Sequence, residues 1–94
     1  MRRAARTDGN HAEVMAAFRA LGCSVLDLSR LGGGCPDLAI GVRGRTVLIE
    51  VKDGSKPPSA RHLTLAEQEF FDGWKGAVYV VEFLSDVQRV VERL

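Results

Sequence analysis

Residues 37–52 have the sequence DLAIGVRGRTVLIEVK, in which two alternating apolar runs flank Arg43 and Gly44. Alternation with a period of two predicts β-strands, and a short linker that ends in glycine predicts a tight hairpin between them. If Arg43 and Gly44 form the loop, Leu38 pairs with Ile49 and every other pair follows from that register. This hairpin decides how the rest of the chain is arranged.

The predicted register separates two kinds of side chain onto the two faces of the hairpin. One face receives the apolar residues Leu38, Ile40, Val42, Val47, Ile49 and Val51. The other face receives Asp37, Ala39, Gly41, Leu48, Glu50 and Lys52. A slip of one residue would place the two apolar rows on opposite faces, so the hydrophobic pattern and the turn agree on one pairing.

The segments around the hairpin predict three helices and two more strands. Helical spacing of apolar residues predicts a helix from Asp8 or Asn10 to Leu21, and Ser24–Leu28 is typical of a short strand. A capping box at Thr64 opens a helix to about Trp74, residues 77–84 predict a strand buried on both faces, and a second capping box at Ser85 opens a last helix. The order αβββαβα predicts one α/β domain over residues 1–94, a sandwich with a mixed central sheet, with residues 1–7 as a flexible basic arm.

Composition places the chain among ordinary globular proteins, with 46% hydrophobic and 27% charged residues. No apolar run is long enough to span a bilayer and no signal-peptide core follows the basic start, so we expect a cytoplasmic protein with no membrane partner. Cys23 and Cys35 lack the paired spacing of a zinc site and are expected to be reduced. Residues 1–63 carry ten Lys or Arg against six Asp or Glu, whereas residues 64–94 carry three against six. This asymmetry favours a polyanionic partner only weakly, because charge runs are usually solvated surface.

The polar face of the hairpin carries the candidate chemistry. Opposed residues of paired strands have Cβ atoms about 4.5 to 5.5 Å apart, so Asp37 and Glu50 should lie side by side and repel. A divalent cation with oxygen ligands would compensate them, the backbone carbonyl of Val51 could add another oxygen, and the ammonium of Lys52 on the same face suits phosphodiester hydrolysis. The same pattern is also common on solvent-facing sheets, where it has no function. Small residues on this face and Gly32–Gly34 favour the functional interpretation, because they leave room for a large ligand.

The ordered set of motifs resembles the PD-(D/E)xK nucleases and, more closely, the virus-type replication and repair nuclease (VRR-NUC) family. The resemblance rests on Asn10-x-x-Glu13, Gly34-x-Pro36-Asp37-Leu38, Ile49-Glu50-Val51-Lys52 and the segment from Leu63 to Gln68. It covers most of the chain and implies a restriction-endonuclease-like sandwich, related to archaeal Holliday junction resolvases, that cleaves branched or flap DNA with Mg²⁺ or Mn²⁺. It further implies that Asp37 and Glu50 bind the metal and that Lys52 is the catalytic lysine. The family motif differs here in Cys35 and in the short length, which leaves the substrate preference open.

Several further residues are candidates with a plain alternative. The resemblance makes Glu13 a fourth member of the site, acting directly or through water, although an exposed helical glutamate near the dipole is the alternative. Gln68 and Asn10 are candidates for an outer layer of polar residues around the metal ligands, and Gln68 is equally compatible with a solvent-facing position. His11 and His62 are expected at exposed helix and loop ends, and Phe71 and Trp74 in the core. Candidate contacts to DNA phosphates are Arg30, Arg43, Arg45, Lys56 and Arg61, each of which is also compatible with a plain surface charge.

Three functions follow from these patterns, in decreasing order of support. The first is a metal-dependent DNA endonuclease, expected as a homodimer because small relatives often pair, and a phage or mobile-element origin would suit it. The second is a non-catalytic DNA-binding or assembly module on the same fold. The third is a phosphohydrolase for small nucleotides. Opposed carboxylates favour the first over the second, because a binding module has no need for them near phosphate.

Overall fold

The computed structural model describes residues 7–94, so most of the predicted N-terminal arm lies outside the described residues. The elements are α1 (His11–Ala20), β1 (Ser24–Asp27), β2 (Leu38–Val42), β3 (Arg45–Val51), a 3₁₀ turn (Pro58–Ala60), α2 (Leu65–Gly73), β4 (Val78–Val81) and α3 (Leu84–Arg93). Their order confirms the predicted αβββαβα arrangement. The four strands lie in the order β1-β2-β3-β4, antiparallel except for the parallel pair of β3 and β4, which makes the sheet mixed as predicted.

The central hairpin has the predicted register and turn. Leu38 pairs with Ile49 and Val42 with Arg45. Arg43 and Gly44 both have positive φ, at 51° and 76°, which is the conformation that a two-residue type I′ turn requires. The backbone therefore agrees with the hydrophobic pattern that predicted it.

One face of the sheet forms the core. We call it the closed face; the residues that it buries are Leu38, Ile40, Val47, Ile49, Val51 and Val81. Helices α1 and α3 pack together and against the sheet here, and contribute Val14, Phe18, Val87, Val90 and Val91 to the same cluster. The predicted helical stripe of α1 thus packs on the predicted apolar face of the hairpin.

The opposite face is only partly covered, and it differs from the sequence prediction. We call it the open face; in the strand pairing its apolar row consists of Leu26, Ala39, Leu48, Val78 and Val80. Leu26 is 61% exposed and Val80 is 39% exposed. The prediction that β4 is buried on both faces was therefore wrong, because Val81 is buried on the closed face whereas Val80 is exposed on the open face. The core prediction for Trp74 was also wrong, since it is exposed and stacks on Phe70 with ring centroids 5.2 Å apart.

The helix starts agree with the sequence at α2 and differ at α3. At α2 the predicted capping box is present, because the Thr64 side chain accepts from the Glu67 N–H and the Glu67 side chain accepts from the Thr64 N–H. At α3 the cap is Phe83 rather than Ser85, and the Asp86 carboxylate accepts from the N–H groups of Glu82 and Phe83, each at 3.0 Å. A carboxylate that reaches two free N–H groups stabilises the helix start more strongly than a serine hydroxyl would.

Two expectations from composition can be compared with the fold. Cys23 is buried and Cys35 is partly buried, and the two do not form a disulfide. Within residues 7–94, no helix combines the length and the apolar character needed to cross a membrane.

Candidate active site

Asp37 is fixed at the point where β2 begins and β3 ends. Its Oδ2 accepts a hydrogen bond of 2.8 Å from the Val51 N–H, and its backbone carbonyl accepts from the Leu28 N–H at 2.7 Å. The pairing of β2 with β3 starts only at Leu38, so no backbone carbonyl of β2 is paired with the Val51 N–H. The Asp37 carboxylate accepts that hydrogen bond instead. Strand geometry thus directs this carboxylate towards the end of β3.

Glu50 points from β3 to the open face but is buried, with 2% of its surface exposed. Its carboxyl group contacts that of Asp37, and within the described part of the chain no N–H or O–H group donates to Oε1. Burial and then the charge of Asp37 raise the pKa of Glu50 to about 10, and burial also raises the pKa of Asp37. A buried carboxyl group in contact with a half-buried one is costly unless a proton or a cation is shared between them.

Lys52 completes the cluster at the end of β3, where its side chain is also buried. Its Nζ lies 2.7 Å from Glu67 Oε1 and 3.7 Å from Glu50 Oε2. Burial lowers the pKa of Lys52, but the hydrogen bond to Glu67 and the charges of Glu67 and Glu50 outweigh it, so the net pKa is raised. Lys52 is therefore a fixed positive charge beside the carboxyl pair.

The donor set fits a hard divalent cation. Within a strand, the N–H and C=O of one residue point to the same side, so the Val51 carbonyl faces the side on which its N–H meets Asp37. In residues 7–94, no three His, Cys, Asp or Glu side chains are grouped so that they could hold a metal by themselves. The available donors are the Asp37 carboxylate, the unpartnered Glu50 Oε1 and this carbonyl. Mg²⁺ is commonly held by one or two carboxylates, with water and phosphate oxygens at the other positions.

The other candidates near the site have different positions. Asn10, at the start of α1, donates from Nδ2 to the carbonyls of Lys52 at 3.0 Å and Glu82 at 3.3 Å, which ties the helix to the end of β3. Glu13 lies on the exposed side of α1, where it lines a cavity together with Asn10, Asp53 and Glu82. Gln68 is exposed and donates to Asp72 Oδ1 at 2.9 Å along α2. Of these three, Asn10 directly holds the backbone of a site residue.

Three of the five candidate phosphate-binding cations bond to another residue of the domain, and the other two are exposed surface side chains. Lys56 pairs with Asp8 at 3.6 Å. Arg61 pairs with Glu82 at 2.9 Å and lies over the Phe83 ring, and Arg43 donates to the Val91 carbonyl at 2.6 Å. Arg30 and Arg45 are exposed, one in the loop that leads into β2 and the other at the far end of the hairpin.

Sequence reasoning missed two residues of this region. His11 was expected at an exposed end but is 7% exposed, with Nε2 3.3 Å from Asp27 Oδ1. His62 is exposed as expected. The second is Glu67, which the sequence showed only as part of a capping box. No local sequence signal predicts that His11 is buried. For Glu67, the sequence shows its capping-box spacing after Thr64 but does not show its contact with Lys52.

Comparison with known proteins identifies the class and the family. No family model and no curated protein matches the sequence. Among solved structures, one described as a VRR_NUC domain matches with a TM-score of 0.58 and 34% identity, over 89% of this chain and 92% of that chain. The fold and the carboxylate-lysine cluster at its sheet end define a nuclease-type α/β domain. The chain belongs to the VRR-NUC family.

Proposed function

We propose that this domain is a metal-dependent DNA endonuclease that hydrolyses phosphodiester bonds. The observation that supports it most is the contact between the half-buried Asp37 and the buried Glu50 beside the ammonium of Lys52. Such a pair is costly in a sheet unless it serves a cation, and the unpartnered Oε1 of Glu50 offers a free ligand atom. A solvated surface pattern would leave these carboxylates exposed.

Each side chain then has a distinct task. When bound, Mg²⁺ or Mn²⁺ would polarise a phosphoryl oxygen and make water a better nucleophile at neutral pH. Asp37, Glu50 and the Val51 carbonyl would hold it, and Lys52 orients the nucleophile or stabilises the charge that develops on the phosphate. Asn10 fixes the backbone at Lys52. Glu13 is proposed as a fourth acidic member that acts directly or through water, and Gln68 as an outer polar residue.

The proposed substrate is DNA, preferably branched, flap or junction DNA. The site lies where β3 ends, at the end of the sheet rather than over the apolar row of the open face, and such a position suits an extended polymer better than a small nucleotide. Arg30 and the other candidate cations would contact phosphates, which contributes affinity and salt dependence without sequence selectivity. The preference for branched forms rests on the family's relation to junction resolvases.

The domain is also proposed to act as a homodimer through the open face. Leu26 is mostly exposed at one edge of a row of apolar residues that crosses all four strands and ends beside Glu50. The row is exposed at Leu26 and Val80 and half-buried between them, and an apolar surface of this kind is typical of an interface. Pairing there would bring two sites close together, so that one assembly could address both strands of a branched substrate.

The oligomeric state can be tested by light scattering after size exclusion. Leu26→Glu should give monomers, because burying an unpaired carboxylate at the interface is unfavourable. Leu21→Glu is the control, because Leu21 is also exposed but caps α1. A wild-type protein that is monomeric at high concentration would refute the dimer.

The cleavage test uses labelled four-way junction, flap, nicked duplex and single-stranded DNA with Mg²⁺, Mn²⁺ or chelator. Metal-dependent products are expected, and Glu50→Gln should reduce the rate at least about 100-fold. The matched control is Glu69→Gln, an exposed glutamate of α2, which should cleave normally. Salt-sensitive DNA binding without cleavage in any metal would instead support the non-catalytic module.

A further inference from the structure

Glu67 connects the start of α2 to the lysine of the site. Its Oε1 accepts two hydrogen bonds, from Lys52 Nζ at 2.7 Å and from the Thr64 N–H at 2.8 Å. The distance from Lys52 Nζ to Glu50 Oε2 is longer, at 3.7 Å. The ammonium is therefore held mainly by α2 and only secondarily by its own strand.

The position of Glu67 is itself fixed from two sides. The Glu67 N–H donates to Thr64 Oγ1 at 3.2 Å, which completes the reciprocal capping box. On the other side, Gly34 has φ +83°, and a Cβ there would overlap the carbonyl of Ala66. The glycine thus lets the first turn of α2 pack directly on the loop that leads to Asp37. The carboxylate of Glu67 is consequently fixed relative to Asp37 as well as to Lys52.

We propose that Glu67 is a positioning residue that holds the Lys52 ammonium in its working place, in addition to its separate role in the capping box of α2. This inference rests on the proposed nuclease function. A lysine side chain has a flexible four-carbon stem and loses about 2 kcal/mol of rotamer entropy when it is fixed. A carboxylate on a rigid helix start restricts that stem before substrate arrives. Without it, Glu50 is the nearest remaining acceptor, and the ammonium would occupy a carboxylate that the metal needs.

Glu67→Gln and Thr64→Ala separate positioning from capping. The glutamine retains an oxygen that can accept from the Thr64 N–H but carries no charge for Lys52. Thr64→Ala removes the other half of the capping box and leaves the contact between Glu67 and Lys52 in place. The two variants therefore damage different interactions of one structural unit.

The test measures kcat and KM for DNA together with the melting temperature of each variant. Glu67→Gln should lower kcat about 10- to 100-fold, the loss typical of a misplaced catalytic group, with KM within about twofold of wild type. Thr64→Ala should lower the melting temperature by about 4 to 8 °C with kcat within about twofold, because a lost cap affects only the helix. If Glu67→Gln retains wild-type kcat, or if both variants lose kcat in proportion to melting temperature, Glu67 is only a cap.

A second measurement separates this inference from the proposed function. In chelator, the ammonium protons of Lys52 should be protected from exchange in ¹H–¹⁵N NMR spectra of wild type and Thr64→Ala, and unprotected in Glu67→Gln. Equal protection in all three would overturn the positioning role whatever the activity. If wild type cleaves no DNA with any metal, the nuclease proposal fails, and the catalytic meaning of Glu67 fails with it. Cleavage by wild type and by Glu67→Gln alike refutes the role of Glu67 alone.

Discussion

The two faces of one sheet perform opposite tasks in this domain. The closed face buries an apolar cluster that is covered by α1 and α3, so it stabilises the fold. The open face is built from the same strands, yet it carries Glu50 and Lys52 and leaves Leu26 exposed. Burial raises the pKa of the Glu50 carboxyl group on this face to about 10. Because side chains alternate along a strand, the seven residues of β3 contribute to the core on one side and to the proposed active site on the other.

The largest expected effect is a difference in the free energy of unfolding between a substitution on the closed face and one on the open face. Phe18→Ala on the closed face should lower the free energy of unfolding by about 3 to 5 kcal/mol, because Phe18 is fully buried and its loss leaves a cavity. That is a large share of the roughly 5 to 15 kcal/mol available to a small domain. Leu26→Ala on the open face should cost less than about 1 kcal/mol in dilute protein. Denaturant unfolding measures both.

The concentration dependence of the Leu26→Ala result sharpens this comparison. If its cost grows with protein concentration, the open face is covered by a second copy, as proposed for the dimer. Equal costs for Phe18→Ala and Leu26→Ala at every concentration would contradict the division into a closed and an open face.

An intermediate effect is expected from the pH dependence of the metal-free protein. The pKa of Glu50 is raised from 4.5 to about 10, so the folded state binds a proton more tightly than the unfolded chain does. Stability is therefore full below about pH 4.5 and falls as pH rises towards 10. Glu50→Gln removes this loss and should raise the melting temperature in chelator at pH 9 by at least about 4 °C, the shift expected for about 1 kcal/mol. At pH 4 the two proteins should differ little.

Addition of metal should make wild type more stable than Glu50→Gln, which is the reverse of the order expected in chelator at pH 9. Mn²⁺ or Mg²⁺ stabilises a protein that binds it in the folded state only, so wild type should gain melting temperature and Glu50→Gln should not. Glu69→Gln is the control, and it should follow wild type with and without metal. A Glu50→Gln variant that is less stable than wild type in chelator at pH 9 would refute the buried, protonated state of Glu50.

The hairpin was predictable because two independent signals coincide in it. The apolar alternation on both sides of Arg43-Gly44 allows one register only, and the strand pairing of Leu38 with Ile49 confirms it. The same register also predicts that Asp37 and Glu50 lie side by side. Local periodicity is sufficient here because both strands and their turn lie within 16 consecutive residues.

The wrong or incomplete predictions have one physical reason. The local sequence does not show which distant residues pack against a given face of a strand or helix. The apolar density of β4 predicted burial on both sides, but Val80 is 39% exposed. His11 follows a helix cap and gave no sign that it packs near Asp27. Glu67 was fully explained by its local cap, which concealed its contact with Lys52 15 positions away. The sequence pattern could not predict which distant residues the helices bring into contact with the sheet.

The smallest expected effect is a change in DNA affinity, which tests at which end of the sheet DNA binds. The site lies where β3 ends, and Arg30 belongs to the loop that leads into β2 at that same end. Arg45 is at the start of β3, and seven residues at about 3.3 Å each separate it from Lys52 by roughly 20 Å. Arg30→Ala should therefore weaken DNA binding about 3- to 10-fold and reduce the salt slope by about 0.9, the value for one lost phosphate contact. Arg45→Ala should change affinity less than about twofold.

Anisotropy titrations at several salt concentrations, with cleavage prevented by Glu50→Gln in every protein, measure this difference. Arg43→Ala is a useful third variant, because its guanidinium is engaged with the Val91 carbonyl and its loss should lower stability rather than affinity. Equal losses at Arg30 and Arg45 would mean that DNA runs the length of the sheet to the hairpin tip. In that case the exposed apolar row would lie under the nucleic acid, and a second copy could not cover it at the same time.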